Sequence, residues 1–320
     1  MDELTTLLHD AVEDVEPTDR LVAIRQRAAK PRRGRWYLAG GALLATAVVV
    51  AGVAVLTRPD TDRGADPVGQ PTASGSHTVP GSVQAVYYLG KTPQGPRLFR
   101  EFRWLPATTR LAPSQYVEQP PTDPDYFSAW PEGAFLAAYV DYPSGLITVQ
   151  LADRSLQHRP AGMSPAEARL AIEQVIYTVQ AYAQQPLPVQ FEAEGNPIGT
   201  VYDIPTSEPL AASPQLDVLA LVSISNPAEG RVVEGGFSAD GVASSFEGTV
   251  PWELRDETGE VVRSGSAQGT MEDHLTPWKT DTIDVSDLPA GTYTFVAMTD
   301  DPSGGEGGGP TTDTRTITVR

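Results

Sequence analysis

The hydrophobic pattern of most of this chain is that of short strands separated by turns. Between residues 82 and 205 two pairs of runs are rich in β-branched and aromatic residues and are joined by Gly- and Pro-containing turns: "SVQAVYYLG" with "RLFREFRW", and "AFLAAYVD" with "LITVQLA". We predict a β-hairpin from each pair. A later run, "LPVQFEAEG", is predicted to return as a further strand.

One segment before that last strand has the period of a helix. Ser164 is a natural N-cap, Pro165 fits the first helical position, and Glu167 completes a capping box. An apolar stripe follows at helical spacing and consists of Ala168, Ile172, Val175, Ile176 and Val179. We therefore predict an α+β domain over residues 82–205, with this helix packed on one face of a sheet.

Residues 216–320 carry only strand and turn signals. Regularly spaced strands in a segment of this length predict an all-β sandwich of about seven strands. The predicted strands are "LDVLALVSIS", "RVVEGGFSA", "SFEGTVPWELRD", "EVVRSGSAQ", "WKTDTIDV", "GTYTFVAMTD" and "TRTITV". We expect Trp252, Phe246, Tyr293 and Phe295 to supply much of the core. The glycine-rich run "TDDPSGGEGGGP" is predicted to connect the last two strands as a hairpin.

A long apolar segment interrupts the strand pattern near the N-terminus. Residues 36–57 form an uncharged run of 22 residues, enough for a helix to cross a bilayer. Basic residues cluster before this run, which places residues 1–35 in the cytoplasm and residues 58–320 outside. A cleaved signal peptide and a buried helix are the alternatives. Residues 58–81, rich in Pro, Gly, Ser, Thr and Asp, are predicted to be a disordered stalk.

The predicted cytoplasmic tail has two short helical patterns, which Pro17 separates. Short helices need a packing partner, because helix nucleation is costly. Residues 1–30 are therefore either a docking site for a cytoplasmic protein or a solvated tail that fixes topology.

Charge and composition exclude several classes of function. The net charge is −18, and residues 1–35 contain seven acidic and seven basic residues, so the whole excess lies beyond residue 57. An acidic outer part argues against nucleic acid as a partner. The chain has no cysteine and only four histidines, which excludes disulfides and argues against a zinc enzyme.

The sequence has no recognisable catalytic constellation. Ser238 and Ser266 lack the nucleophile-elbow pattern, and His274 stands beside only Asp273. No nucleotide-binding glycine pattern is present. We therefore predict that the protein is not an enzyme and has no cofactor.

Two groups of acidic residues are candidates for chemistry, the first as an acid/base pair or a metal site and the second as a metal site. Asp123, Asp125 and Glu132 lie in a Pro-rich loop whose spacing fits no cation-binding template, so we interpret it as structural. The aromatic residues of this loop are predicted to be anchors or a partner-binding patch: Tyr126, Phe127 and Trp130. A second group near the C-terminus is a weak calcium candidate and comprises Asp300, Asp301, Glu306 and Asp313.

Both outer segments resemble known bacterial families. Residues 82–205 resemble the GerMN domain through "VQAVYYL", "DPDYFSAWPEG", "LITVQLA" and "AEARLAIEQVIYTVQAYAQ", in that order. Residues 222–320 resemble the immunoglobulin-like domain of bacterial spore germination through "ISNPAEGRVVEGGFSADGVASSFEGTVPWELRDETGEVV", "LPAGTYTF" and "DPSGGEGGGPTTDTRTITV". These resemblances imply an envelope module that binds or assembles and carry over no catalytic residues.

The sequence as a whole thus predicts a single-pass protein of the cytoplasmic membrane that displays a GerMN-like domain and an immunoglobulin-like domain. Its expected function is non-catalytic binding or assembly in the bacterial envelope, with an envelope protein or cell-wall polymer as partner. The alternatives are a transmembrane signalling protein whose tail binds a regulator such as a sigma factor, and a cell-wall-acting enzyme.

Overall fold

The structure of the chain is a computed structural model in which residues 81–106, 114–270, 272–300 and 308–320 are described. The predicted tail at 1–35, the predicted transmembrane helix at 36–57 and nearly all of the predicted stalk at 58–81 lie outside these ranges. Within the described ranges, no helix is both long enough and apolar enough to cross a membrane.

The first predicted hairpin forms a small three-stranded sheet. Strand β1 (Gly81–Thr92) pairs antiparallel with β2 (Gly95–Pro106) along their full length, from Gly81 opposite Pro106 to Thr92 opposite Gly95. Gly95 has φ +109°, a conformation that other residues resist, and it closes the turn between them. A two-residue strand, β3 (Tyr126–Phe127), pairs with the other edge of β1.

The second predicted hairpin belongs to a separate four-stranded sheet. Its strands are β4 (Phe135–Asp141), β5 (Leu146–Leu151), β6 (Val189–Ala193) and β7 (Asn196–Pro197), in that spatial order. Strands β5 and β6 run parallel, so the chain must cross over between them, and the predicted helix makes this crossover. Two further strands, β8 (Thr200–Val201) and β9 (Ile204–Pro205), form a short hairpin.

The helices of the first domain are α1 (Ser114–Val117) and α2 (Pro165–Ala183). The predicted capping box of α2 is confirmed: Glu167 N donates to Ser164 Oγ (3.1 Å), and Ser164 N donates to Glu167 Oε2 (2.8 Å). The predicted apolar stripe is buried in full, and its residues are Ala168, Ile172, Val175, Ile176 and Val179. This stripe belongs to the same core as the buried residues of β1, β5 and β6.

The segment that joins the domains corrects one prediction. The run "LDVLALVSIS" was expected to be one strand, but it begins as a helical turn, α3 (Gln215–Val218), and becomes strand β10 only at Val222–Asn226. Pro214 starts the turn, and Leu219 then forms a β-bridge with Leu98 of β2. The first apolar residues of this run, Val218, Leu219 and Ala220, therefore pack against the first domain, whereas Val222 and Ile224 belong to the core of the second.

The second domain is an all-β sandwich. After β10 its strands are β11 (Arg231–Val233), β12 (Gly236–Phe237), β13 (Asp240–Ala243), β14 (Thr249–Arg255), β15 (Val261–Gln268), β16 (Thr276–Lys279), β17 (Ile283–Asp284), β18 (Gly291–Met298) and β19 (Thr312–Val319). The largest sheet has the order β10-β13-β16-β15-β14-β18-β19-β11, and β12 pairs with β17. Strands β10 and β19 are far apart in this order but lie against each other, as facing layers of a sandwich do.

The sandwich has ten described strands, more than the seven or so predicted. The sequence pattern missed β13, because Asp240 and Gly241 there look like turn residues.

The predicted core residues are found where expected. Tyr293 and Phe295 are buried in the core of the second domain, and Trp252 packs against this core but is partly exposed. The predicted last hairpin is confirmed, since β18 and β19 pair in register from Gly291 opposite Val319 to Met298 opposite Thr312. Its glycine-rich connection lies outside the described residues at 301–307, and the Phe246 side chain is not described.

Gly241 of β13 allows a close contact with both neighbouring strands, β10 and β16. It pairs with Ile224 on one side and with Trp278 on the other. A Cβ atom on Gly241 would lie 2.0 Å from the carbonyl oxygen of Ser223 and 2.8 Å from Cζ2 of Trp278. The Trp278 ring therefore occupies the space that any side chain at this position would need.

We expect Gly241→Ala to lower the free energy of unfolding by at least about 1–3 kcal/mol, because the methyl group overpacks a strand that cannot move aside. Gly199→Ala is the matched control, since no atom lies within 4 Å of the corresponding Cβ and its φ is not left-handed. Urea denaturation of the two variants measures the effect. Equal stability of both variants would contradict this account of Gly241.

Candidate functional site

A buried carboxylate on β2 fixes the loop that leads into β3. Glu101 Oε1 accepts hydrogen bonds from the backbone N–H groups of Thr122 and Asp123, both at 2.8 Å. Arg103 Nη2 donates to Glu101 Oε2 at 3.1 Å and neutralises it. These bonds hold Asp123 and Tyr126 at the side of the first domain that faces strand β19.

Four side chains from the two domains meet there in a buried cluster, which we call the interdomain ion cluster: Asp123, Tyr126, Asp313 and Arg315. Arg315 Nη1 donates to Asp123 Oδ2, to Tyr126 Oη (2.9 Å) and to Asp313 Oδ1 (3.0 Å). Tyr126 Oη donates to Asp313 Oδ1 at 2.5 Å. The cluster thus joins a loop of the first domain to the last strand of the second.

Strand β10 completes the cluster. Its Ile224 N–H donates to Asp313 Oδ2 at 2.6 Å, and its Ile224 carbonyl accepts from Arg315 Nη2 at 2.8 Å. The Arg315 guanidinium also lies over the Tyr126 ring, 5.3 Å from the ring centre. Arg315 is therefore held by both domains and by both layers of the sandwich.

Burial governs the protonation of the cluster, because its four residues are each at most 6% exposed. Asp313 accepts from Tyr126, Ile224, Thr314 and Arg315, whereas Asp123 accepts only from Asp125 N and Arg315. Burial raises the pKa of Asp123 to about 7, although Arg315 opposes the shift. Burial alone would lower the pKa of Arg315, but the neighbouring Asp313, Tyr126 and Asp123 raise it overall.

An apolar cluster lies beside the ions and reaches across the same interface. It contains the buried residues Leu89, Leu98, Leu170, Val218 and Leu219, with Leu275 of the second domain packed against it. Polar contacts extend the interface further: Arg100 Nη2 donates to Ser225 Oγ (2.8 Å), and Thr314 Oγ1 donates to Asp125 Oδ2 (2.6 Å). Docking of the domains therefore combines a directional ionic contact with ordinary hydrophobic packing.

A cleft of about 550 Å³ opens on the first domain. Its wall combines apolar and aromatic side chains with a few polar ones, including Phe127, Trp130, Met163, Tyr202, Ser155 and His158. Two contacts hold the Trp130 side chain in place. Its Nε1 donates to the Ala171 carbonyl at 3.0 Å, and its ring packs on the Tyr202 ring with 4.8 Å between the ring centres. Volume, apolar lining and few polar groups are typical of ligand-binding clefts.

The chain turns back at one wall of the cleft. Val201 of β8 pairs with Ile204 of β9, so Tyr202 and Asp203 form a two-residue hairpin loop. Their left-handed φ values, +50° and +62°, are those that such a loop requires. The N–H groups of Tyr202 and Asp203 donate to the carbonyls of Leu156 and Gln157, at 2.8 and 2.9 Å. The loop places Tyr202 in the wall and Asp203 Oδ1 within 3.2 Å of His158 Nδ1.

The structure separates the acidic residues that the sequence grouped together. Asp123 and Asp125 lie in the interface between the domains, whereas Glu132 is exposed in a turn. Phe127 and Trp130 line the cleft, while Tyr126 belongs to the ion cluster. The interpretation of this loop as structural agrees with these positions.

The calcium candidates remain a prediction. Asp313 is engaged in the ion cluster, and the backbone N–H of Asp300 donates to Ser245 Oγ at 2.9 Å. Asp301 and Glu306 lie outside the described residues. In the described part of the chain, no three His, Asp or Glu side chains are grouped so that they could hold a metal ion.

Sequence reasoning missed Arg315, Glu101 and Tyr202. A signal for Arg315 was present in the sequence. Every second residue of β19 lies on the same face of the strand, and that face is buried: Asp313, Arg315, Ile317 and Val319. Charged residues in the inward row of a strand need partners. Tyr202 lies in the two-residue loop of the β8–β9 hairpin, and neither Asn nor Gly marks this loop in the sequence.

Comparison with known families agrees with this architecture. Residues 85–199 match the family described as "Sporulation and spore germination", and residues 221–306 match the "Immunoglobulin-like domain of bacterial spore germination". The two resemblances predicted from the sequence are therefore confirmed, in the predicted order. A comparison with curated proteins found no match.

Two solved structures are similar to parts of the chain. The tandem GerMN domains of the sporulation protein GerM from Bacillus subtilis are 12% identical, with a TM-score of 0.34; the match covers 65% of this chain and 63% of that one. CopC from Methylosinus trichosporium OB3b is 17% identical, with a TM-score of 0.22, over 31% of this chain and 92% of that one. Neither likeness bears on the function of this chain.

We expect Arg315→Met to lower the free energy of unfolding by about 3–5 kcal/mol, because it leaves two buried carboxylates without their cation. Arg263→Met is the matched control. It removes an arginine that pairs with Asp287, whose side chain is 71% exposed, and should cost less than about 1 kcal/mol. Urea denaturation measures both values. A similar small loss in the two variants would show that the ion cluster does not hold the domains together.

We expect Asp123→Asn to become more stable relative to the wild type as the pH rises. The folded-state pKa of Asp123 is about 7, above its ordinary value of about 3.9. The proton on Asp123 therefore stabilises the wild-type fold at low pH, and this contribution is lost as the pH rises through 7. Between pH 5 and pH 9 the wild type should lose at most about 2–3 kcal/mol relative to the variant.

Urea denaturation of both proteins across this pH range provides the measurement. Asp287→Asn is the control, because it removes an exposed carboxylate from the same protein. A stability difference between Asp123→Asn and the wild type that stays constant with pH would refute the raised pKa.

Proposed function

We propose that this chain is a non-catalytic binding or assembly module of the bacterial envelope. Its two domains match the models of the sporulation and spore germination family and of the immunoglobulin-like domain of bacterial spore germination. The observation that carries the proposal is the interdomain ion cluster. It fixes the two domains relative to each other, so that they present one surface of constant shape. A constant surface suits assembly with a partner better than it suits a catalytic cycle with moving domains.

The cleft beside Phe127 and Trp130 is the proposed partner-binding site. Its apolar wall suits an inserted apolar side chain, and Ser155 and His158 at its edge can supply hydrogen bonds. These properties favour a segment of an envelope protein over a cell-wall polymer, whose sugars carry many hydroxyl groups.

The location of the protein is part of the proposal. The apolar run at 36–57, with basic residues before it, supports a single membrane span with residues 58–320 outside the cytoplasm. The Pro- and Gly-rich stretch at 58–81 would then hold the two domains away from the bilayer. The proposal concerns the envelope and does not depend on spore formation.

Photo-crosslinking in living cells tests the proposal with the full chain. A photoreactive amino acid replaces Ser155 at the cleft edge or, as a matched control, Thr258 in the exposed turn between β14 and β15. We expect a discrete envelope-protein adduct in the membrane fraction from position 155 and none from position 258. Protease added to spheroplasts should digest the adduct, because the domains lie outside the membrane.

A second substitution, Met163→Trp, should abolish the adduct by filling the cleft without touching the interface between the domains. Identical adducts from positions 155 and 258, or an adduct that survives Met163→Trp, would overturn the cleft as the binding site. Protection of the domains from protease would overturn the proposed topology.

A further inference from the structure

A second and smaller cavity lies at the interface between the domains. It measures about 80 Å³, and residues of both domains and of the connecting segment line it, including Tyr87, Leu98, Arg100, Gln215, Ser223 and Leu275. A cavity of this size has room for more than one water molecule or for a small ion. It is distinct from the cleft and from the interdomain ion cluster.

Arg100 brings a positive charge to this cavity without a direct counterion. Its Nη2 donates to the neutral Ser225 Oγ at 2.8 Å, and in the described part of the chain its Nε has no hydrogen-bond partner. The guanidinium also lies 5.1 Å from the centre of the Phe102 ring. Among the described residues no carboxylate forms an ion pair with Arg100, and Tyr87 affects its pKa more strongly than Asp240 and Asp313 do.

Both of these carboxylates also interact with another cation. Asp313 is bound to Arg315, and Lys279 affects the pKa of Asp240 more strongly than Arg100 does. Arg100 is half-buried; burial lowers its pKa, whereas Tyr87 and the two carboxylates oppose this shift. A charge that is partly removed from water without an ion-pair partner is costly, and proteins normally supply one.

We propose that the cavity binds a small anion, either a halide ion or a carboxylate group, as the counterion of Arg100. The other polar groups around the cavity can donate as well. Tyr87 and Ser223 carry hydroxyl groups, and Gln215 uses its Oε1 to accept from Leu275 N at 2.9 Å, so that its Nε2 is a donor. A guanidinium, two hydroxyls and an amide match the several acceptor sites of a small anion.

The anion bridges the domains, because its partners come from different parts of the interface. Tyr87 and Arg100 belong to the first hairpin, Gln215 to α3, and Ser223 to β10 of the sandwich. The complete site exists only when the domains are docked. Anion binding therefore stabilises the docked state through mass action, independently of the partner that the cleft binds.

Thermal unfolding of the full chain tests the proposal. Its Tm is measured at constant ionic strength in sodium acetate, in sodium bromide and in the sodium salt of a sulfonate buffer too large for the cavity. At tenfold excess over its Kd, the small anion should raise the Tm by about 3 °C relative to the large one. A rise with acetate, with bromide or with both supports the proposal and identifies the class of anion.

Two variants separate the cavity from general salt effects. Arg100→Gln should abolish the difference between small and large anions. Arg97→Gln should preserve it, since Arg97 donates to the Leu216 carbonyl nearby but does not line the cavity. Equal Tm values of the wild type in all three salts, or an unchanged difference in Arg100→Gln, would overturn the proposal.

A direct measurement covers the case in which Arg100→Gln does not fold. Crystals of the wild type grown in sodium bromide should give an anomalous peak beside Arg100 Nε. If acetate is the anion that raises the Tm, crystals grown in acetate should show planar density there instead. Only water at this position in both crystals would overturn the proposal.

Discussion

The arrangement of the two domains depends on one guanidinium group. Arg315 is 3% exposed and binds Asp123 of the first domain, Asp313 of its own strand and the Ile224 carbonyl of the facing layer. Hydrophobic packing around Leu98 and Leu219 tolerates small shifts, because it depends mainly on buried area. The hydrogen bonds of Arg315 have defined directions, so they select one docking geometry among those that the apolar cluster would allow.

This dependence links local chemistry to the proposed role in assembly. The two domains have separate apolar cores, and without the ion cluster only the smaller apolar cluster and scattered polar contacts would join them. Interfaces between domains that are small and polar usually permit relative motion. The buried ions remove this freedom, so that the cleft on the first domain keeps a fixed position relative to the sandwich.

Local signals in the sequence predicted much of the fold. The capping box of Ser164 and Glu167 lies within four residues, and the β18–β19 hairpin joins neighbouring strands, so their patterns could be read directly. The helical turn at Gln215–Val218 was missed, because its conformation follows from contacts with the first domain. Strand β13 was missed because Gly241 makes room for Trp278, which comes much later in the chain.

The site was less predictable than the fold for the same reason. The alternation of buried and exposed residues in β19 predicts that Asp313 and Arg315 are buried. The sequence around them does not identify Asp123, 192 positions before Arg315, as their partner. The left-handed conformation of Tyr202 belongs to the two-residue loop of the β8–β9 hairpin, which lacks the Asn and Gly residues that usually mark such a turn. The families of both domains could be recognised from motif order, whereas the contacts between the domains could not.

The separation of Asp123 and Arg315 along the chain also has a consequence in time. Ribosomes add roughly 5–20 residues per second, so Asp123 is synthesised about 10–40 s before Arg315. During this interval Arg315 is absent, so the interdomain ion cluster cannot form. The burial of Asp123 and its unusual affinity for a proton begin only when the last strand arrives, which makes docking a late event in the maturation of the protein.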